Sequence, residues 1–258
     1  MALLTRRLEI VDVEMQLTES TLRSPALGNE RRVWLQPPEA NRPPRAICVL
    51  LDGEYYLQRV NAPALIAELQ TARIVPPLSV AYVSHVDSVT RWKESACSES
   101  FAGFVADELV PWVESQFRPA VGPLPVILGG LSLTGLAAAH VVLCHPNRFS
   151  GVFCQSASFW WSHQWLIDAY RKQSGPLPRF RICCGSQETT EYVEHGPDMI
   201  QRTSQLAANR AMRDVLADCG CELSYEEFAG GHDIDCWRAD LPRSLAALLS
   251  LANQQIVA

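Results

Sequence analysis

Apolar residues in this chain gather in short, nearly continuous runs separated by longer stretches with helical spacing. The runs are RLEIVDVEMQL (7–17), RRVWLQ (31–36), AICVLLDG (46–53), LSVAYVSH (78–85), VILGG (126–130), GVFCQSAS (151–158), RFRICCGS (179–186) and CELSYEEF (221–228). Runs of this length, rich in branched residues, are the pattern of strands buried on both faces. Between them, APALIAELQTA, FAGFVADELVPWVESQF, LTGLAAAHVVLCH, MIQRTSQLAANRAMRDVLADCG and DLPRSLAALLSLANQQ carry apolar residues every three or four positions, the period of a helix with one buried face. The early strands follow one another directly and the later ones alternate with helices. That order predicts an α/β fold with a mostly parallel central sheet of about eight strands, helices on both faces, and an antiparallel pair at its start. The proline-rich PPEANRPPR (37–45) reads as a hairpin connection, and residues 1–258 are expected to form one domain.

Composition narrows the function. A hydrophobic share of 48% with 19% charged residues is that of a folded globular chain, and a net charge of −6 argues against a nucleic-acid partner. The nine cysteines are odd in number, and several lie in apolar runs, so they are expected to be reduced and buried. Cys219 and Cys221 lack a matching pair, so no metal site is expected. No signal peptide and no membrane span is expected, which places the protein in the cytoplasm.

VILGGLSLTGLAAAH (126–140) passes from a strand into an alanine-rich helix through a serine flanked by glycines. When a strand turns at once into a helix, the turn residue is forced into a strained conformation and its near neighbours must be small. Its side chain then stands at the carboxyl edge of the sheet beside the helix N-terminus. Gly130-Leu131-Ser132-Leu133-Thr134 fits this nucleophile elbow except at its last position. On the segment alone, nucleophile and helix N-cap stand level for Ser132, because serine also favours caps.

A serine nucleophile needs a base, and in the elbow architecture the order along the chain is serine, acid, histidine. His140 falls inside the helix after the elbow and His145 ends it, while His163 and His195 lie in loop-like segments. His232, in AGGHDIDCW between the last strand and the last helix, is where a catalytic histidine belongs. Glu188 is the first carboxylate after RFRICCGS and the natural orienter of the imidazole, with Glu191, Glu194 and Asp233 as alternatives. The backbone amides of Leu133 and of Gly53, in LLDGEYY, are the candidate oxyanion donors. The other reading of that segment is a plain Asp-Gly turn.

Four spaced segments carry a wider likeness: TRWKESACSESFAGFVADELVPWV (90–113), GGLSLTGLAAA (129–139), HPNRFSGVFCQSASFWW (145–161) and GGHDIDCWRADL (230–241). Together they resemble the enterobactin esterases, α/β-hydrolases of the esterase D group that cleave the ester bonds of trilactone siderophores. The resemblance implies an α/β-hydrolase fold, Ser132 as nucleophile, His232 as base and Glu188 as acid. It also implies Arg91, Trp160 and Trp237 as substrate contacts. An arginine and indoles suit a catecholate, which can pair with the guanidinium and stack on the rings. Trp161 matches a further aromatic position but reads better as core.

No cofactor and no protein-bound metal is implied; iron would arrive with a small-molecule ester substrate. Three departures from the family are expected: Thr134 stands where a glycine is usual, a separate N-terminal domain is expected to be missing, and His232 lies 44 positions after Glu188. EYVEHGPDMI (191–200) is the candidate extra segment over the site. Besides ester hydrolysis, acyl transfer (including thioesterase-like chemistry) and non-catalytic siderophore binding fit these features. The sequence leaves oligomeric state open.

Overall fold

A computed structural model describes residues 17–117, 122–196 and 199–249. The strands are β1 (Thr18–Ser24), β2 (Asn29–Gln36), β3 (Ala46–Leu51), β4 (Leu78–Val83), β5 (Val126–Leu131), β6 (Gly151–Gln155), β7 (Arg179–Gly185), β8 (Val193–Gly196), β9 (Met199–Gln201) and β10 (Leu223–Phe228). Eight of them form one sheet in the order β1-β2-β4-β3-β5-β6-β7-β10, while β8 and β9 make a separate small hairpin. All pairings from β4 to β10 are parallel, and β2 is antiparallel to both β1 and β4.

Alternation along the strands splits the core in two. In β3, Ile47, Val49 and Leu51 face one side and Ala46, Cys48 and Leu50 the other, all at 1% exposure or less. The second face is covered by α1 (Gly53–Tyr55), which continues as a π-turn over Tyr56–Val60, by α2 (Ala62–Thr71), and by the chain's last described helix. Against the first face pack α3 (Ser88–Ser95), α4 (Glu99–Gly103) with a π-turn over Phe104–Leu109, α5 (Val110–Phe117), α6 (Ser132–Cys144), α7 (Trp161–Arg171) and α8 (Gln205–Asp218). The last helix is α9 (Ile234–Leu249). Among the described residues no helix is long and apolar enough to cross a membrane.

The pattern of apolar runs anticipates the eight-stranded, mostly parallel sheet, and the structure departs from it locally. The run 7–17 lies, apart from its last residue, outside the described residues. The first strand of the observed antiparallel pair is instead TESTLRS, largely exposed at the sheet edge and therefore without a strong apolar signal. Gly28, at φ 65°, supplies the left-handed step of the turn into β2. Residues 37–45 are not a hairpin, because β2 pairs with β4 and the prolines carry no amide to extend a ladder. MIQ (199–201) is a strand, not the start of a helix; α8 begins only after Ser204, whose Oγ accepts the Ala207 amide. The last helix starts six residues before the expected 240, with the Asp233 side chain accepting the Cys236 amide at 3.0 Å.

One buried ionic cluster fixes α9 to the sheet. Asp240, fully buried, accepts from Arg181 Nη2 at 2.8 Å, Gln155 Nε2 at 3.0 Å and Ser244 Oγ at 2.6 Å. A buried carboxylate is tolerated when its partners satisfy it, and removing one side of such a pair strands the other charge. Asp240→Ala is expected to cost about 3–5 kcal/mol, read as a lower urea midpoint with an unchanged slope.

Candidate active site

Three neighbouring strands end in the same unusual way. The residues directly after β3, β5 and β6 are Asp52, Ser132 and Ser156, with φ of 61°, 52° and 45°. Left-handed backbone costs a non-glycine residue roughly 1–2 kcal/mol, and here it places three polar side chains at the carboxyl edge of the parallel sheet, of which Ser132 lines a cleft while Asp52 and Ser156 are buried beside it. The elbow is tight at Gly130, where a Cβ would stand 2.2 Å from the Thr134 carbonyl oxygen, and at Gly135, where it would meet the Ala157 methyl at 2.9 Å. The Thr134 hydroxyl accepts the Leu131 amide at 3.2 Å and lies 2.9 Å from the Leu131 carbonyl and 3.1 Å from Asp52 Oδ2.

From Ser132 a line of hydrogen bonds runs inward. Ser132 Oγ lies 2.9 Å from His232 Nε2, and His232 Nδ1 lies 2.6 Å from Glu188 Oε2. A proton on Nδ1 directed at the carboxylate leaves Nε2 free to accept from the serine. The other oxygen of Glu188 accepts the Ser156 hydroxyl at 2.6 Å and the Gly185 amide at 2.7 Å. Behind them, Trp237 Nε1 donates to Ser156 Oγ at 3.1 Å, and its ring meets the His232 imidazole edge-on at 4.8 Å. The Glu188 side chain is only 2% exposed, against 41% for His232.

The two loops that bring Glu188 and His232 together are sutured through backbone. Gln187 N donates to Gly230 O at 2.9 Å and Ser186 N to Phe228 O at 2.8 Å. A Cβ on Gly185 would stand 2.5 Å from that same Gly230 oxygen, so the close approach requires glycine.

Of the alternative acids, Glu191 and Glu194 are exposed, and Asp233 caps α9. Leu133 and Gly53 both lie in the first turn of a helix, where amides have no intrahelical acceptor. A cleft of about 330 Å³ opens over Ser132, Leu133, Glu188 and His232. Its walls include Arg91, Trp92, Trp160 and Gln205, with Val193, His195 and Gln201 coming from the β8–β9 hairpin. Trp160 stacks face to face on His195, centroids 4.7 Å apart, and Trp92 flanks the same imidazole at 6.0 Å. The β8–β9 hairpin thus forms one wall of the cleft.

Two expected substrate contacts sit differently from the sequence reading. Trp237 is buried behind the imidazole and does not line the cleft. Arg91 does line it, but its Nε and Nη2 are held by Asp52, with Nε 2.8 Å from Oδ1. Trp161 is partly buried against the core, as its core reading requires. His140 lies buried in α6 and His163 is exposed on α7. Sequence reasoning missed Ser156, Asp52 and His85. The available signal was position, since Ser156 and Asp52 directly follow parallel strands. Among the described residues no group of three or more metal-ligating side chains converges.

Asp52, Arg91 and His85 form a partly buried charged group. Burial alone would raise its pKa, but the Arg91 hydrogen bonds and His85, whose Nδ1 lies 3.4 Å away, together bring it below the usual carboxylate value. The same contact raises His85, because Asp52 and Glu54 favour the imidazolium over the opposing effect of burial.

A left-handed serine between a parallel strand and a helix, hydrogen-bonded to a histidine that is itself bonded to a buried carboxylate, defines a site of the α/β-hydrolase class. The family model described as "Putative esterase" matches residues 24–248, and the chain belongs to that esterase family. It is similar to the iron(III) enterobactin esterase of Dickeya dadantii, at 29% identity over 231 residues covering 88% of this chain and 53% of that protein. The Escherichia coli K12 protein of the same name is 28% identical, with coverages of 91% and 58%. The crystal structure of the Shigella flexneri enterobactin esterase in the presence of enterobactin superimposes with a TM-score of 0.78 at 27% identity, covering 91% of this chain and 59% of that one. This chain therefore spans a little over half the length of these relatives.

Because the folded-state pKa of His85 is raised, the stability it contributes is fully present below its unfolded value near ~6.5 and is lost as pH rises through the higher folded value. His85→Gln is expected to remove that fall, so that Tm measured across pH 6–9 becomes flatter than in the wild type.

Proposed function

We propose that this chain is a serine esterase that hydrolyses an ester of a siderophore-type, catechol-bearing small molecule through an acyl-enzyme. The observation that carries the reading is the line Ser132–His232–Glu188 at the floor of an open cleft. Ser132 Oγ attacks the ester carbonyl while His232 Nε2 takes its proton. Glu188 holds the other ring nitrogen and stabilises the imidazolium. The amides of Leu133 and Gly53 receive the oxyanion. The proton passes to the leaving alcohol, and water, activated by the same imidazole, releases the acid.

Substrate class is inferred from the walls and from the relatives. The parallel faces of Trp160 and His195, with Trp92 beside them, form an aromatic wall suited to a planar ring. Arg91 Nη1 remains as the guanidinium donor not committed to Asp52. The relatives are named for enterobactin, and any iron would be part of the substrate. The exposed His232 edge leaves room for water, which favours hydrolysis over acyl transfer. Nine unpaired cysteines fit a cytoplasmic, reducing location.

The test is to incubate wild type and Ser132→Ala with metal-free and ferric enterobactin and to follow linear products by mass spectrometry. Linear fragments are expected from the wild type alone, and Glu188→Gln is expected to lower kcat by on the order of 10⁴-fold. A wild-type protein that fails to react with a fluorophosphonate at Ser132 would overturn the hydrolase reading. Labelling without cleavage would redirect it to another ester or to an acyl acceptor.

A further inference from the structure

The threonine that departs from the elbow pattern has a partner. Its hydroxyl spans from the turn carrying Ser132 and Leu133 to Asp52, the residue directly before Gly53, at 3.1 Å. The two amides assigned above to the oxyanion stand on the first turns of two separate helices, one after β5 and one after β3. We infer that Thr134 is a positioning residue which, through Asp52, fixes the distance between the two oxyanion donors. This inference rests on the proposed esterase reading.

The chemistry favours the bond to Asp52. Thr134 Oγ1 accepts the Leu131 amide and has one proton to give, either to the Leu131 carbonyl at 2.9 Å or to Asp52. As the residue that precedes α6, Leu131 already offers that carbonyl to the first intrahelical amide. The Asp52 carboxylate is ionised beside Arg91, its side chain is fully buried, and a charged acceptor makes the stronger bond. Asp52 itself has little freedom: Tyr55 and Tyr56 donate to its carbonyl, Arg91 grips its carboxylate with two nitrogens, and a Cβ on the next residue, Gly53, would stand 2.8 Å from the Tyr82 backbone. A rigid anchor of this kind holds the elbow helix in register, which a glycine at position 134 could not do. The close approaches at Gly130 and Gly135 involve the Thr134 carbonyl and the Ala157 methyl, not the Thr134 side chain.

Thr134→Val keeps the shape and removes the hydroxyl. Misplacing preorganised donors by a fraction of an ångström slows the chemical step without weakening ground-state binding. The variant is expected to lose about 10- to 100-fold in kcat with KM within about threefold, and to lose fluorophosphonate reactivity in parallel. Thr134→Ser is expected to restore most of both. A purely structural threonine would lower Tm without separating kcat from KM.

Hydrogen exchange of peptides covering 52–56 and 131–136 tests the tie independently of any substrate. Exchange is expected to speed up in both segments in Thr134→Val and in neither in Thr134→Ser. Unchanged exchange at 52–56, or a serine variant as impaired as the valine one, overturns the inference. A wild type whose Ser132 does not react at all removes the esterase reading instead, while the exchange experiment still decides whether the two loops are coupled.

Discussion

Everything at the carboxyl edge of this sheet depends on one backbone constraint, the left-handed step taken by the residue that follows each of β3, β5 and β6. Each step turns the chain sharply out of the sheet and leaves a polar side chain standing above it, so Asp52, Ser132 and Ser156 share one edge although over a hundred residues separate the first from the last. The conformations are costly, and the surrounding structure must enforce them. It does so by close packing: Gly130 against the Thr134 carbonyl, Gly53 against the Tyr82 backbone, Gly135 against Ala157.

The buried carboxylate of Glu188 is the second dependence. Removing a carboxylate from water is unfavourable unless hydrogen bonds replace the lost hydration, and here the Ser156 hydroxyl, the Gly185 amide and the His232 imidazole do so. Because Gly185 and Ser156 belong to the ends of β7 and β6, the carboxylate is referenced to the sheet rather than to its own loop. Trp237 extends the arrangement into α9, and the Asp240 cluster fastens that helix to β6 and β7. The position of the imidazole over Ser132 is therefore set by contacts that reach the core.

The β8–β9 hairpin adds a different kind of element. It contributes no strand to the main sheet, yet it brings His195 onto the face of Trp160 and gives the cleft an aromatic wall. A scaffold that varies loops above a fixed edge can alter what it binds while leaving the hydrogen-bonded line beneath untouched.

Most of the sheet, and a set of polar groups that the fold brings into hydrogen-bonding range, could be read from the sequence. Continuous apolar runs mark strands buried on both faces, Gly130 and Gly135 around Ser132 mark a turn only small residues allow, and the order of Ser132, Glu188 and His232 along the chain matches the order in which parallel strands deliver them to one edge. It did not reveal TESTLRS or MIQ as strands, because an edge strand and a surface hairpin bury too little apolar surface to leave a periodic trace. Nor could it show that Trp237 lies behind the imidazole, that Arg91 is committed to Asp52, or that the Thr134 hydroxyl reaches Asp52. Those facts depend on which side chains meet across distant loops, and only the packing of the folded chain fixes such distances.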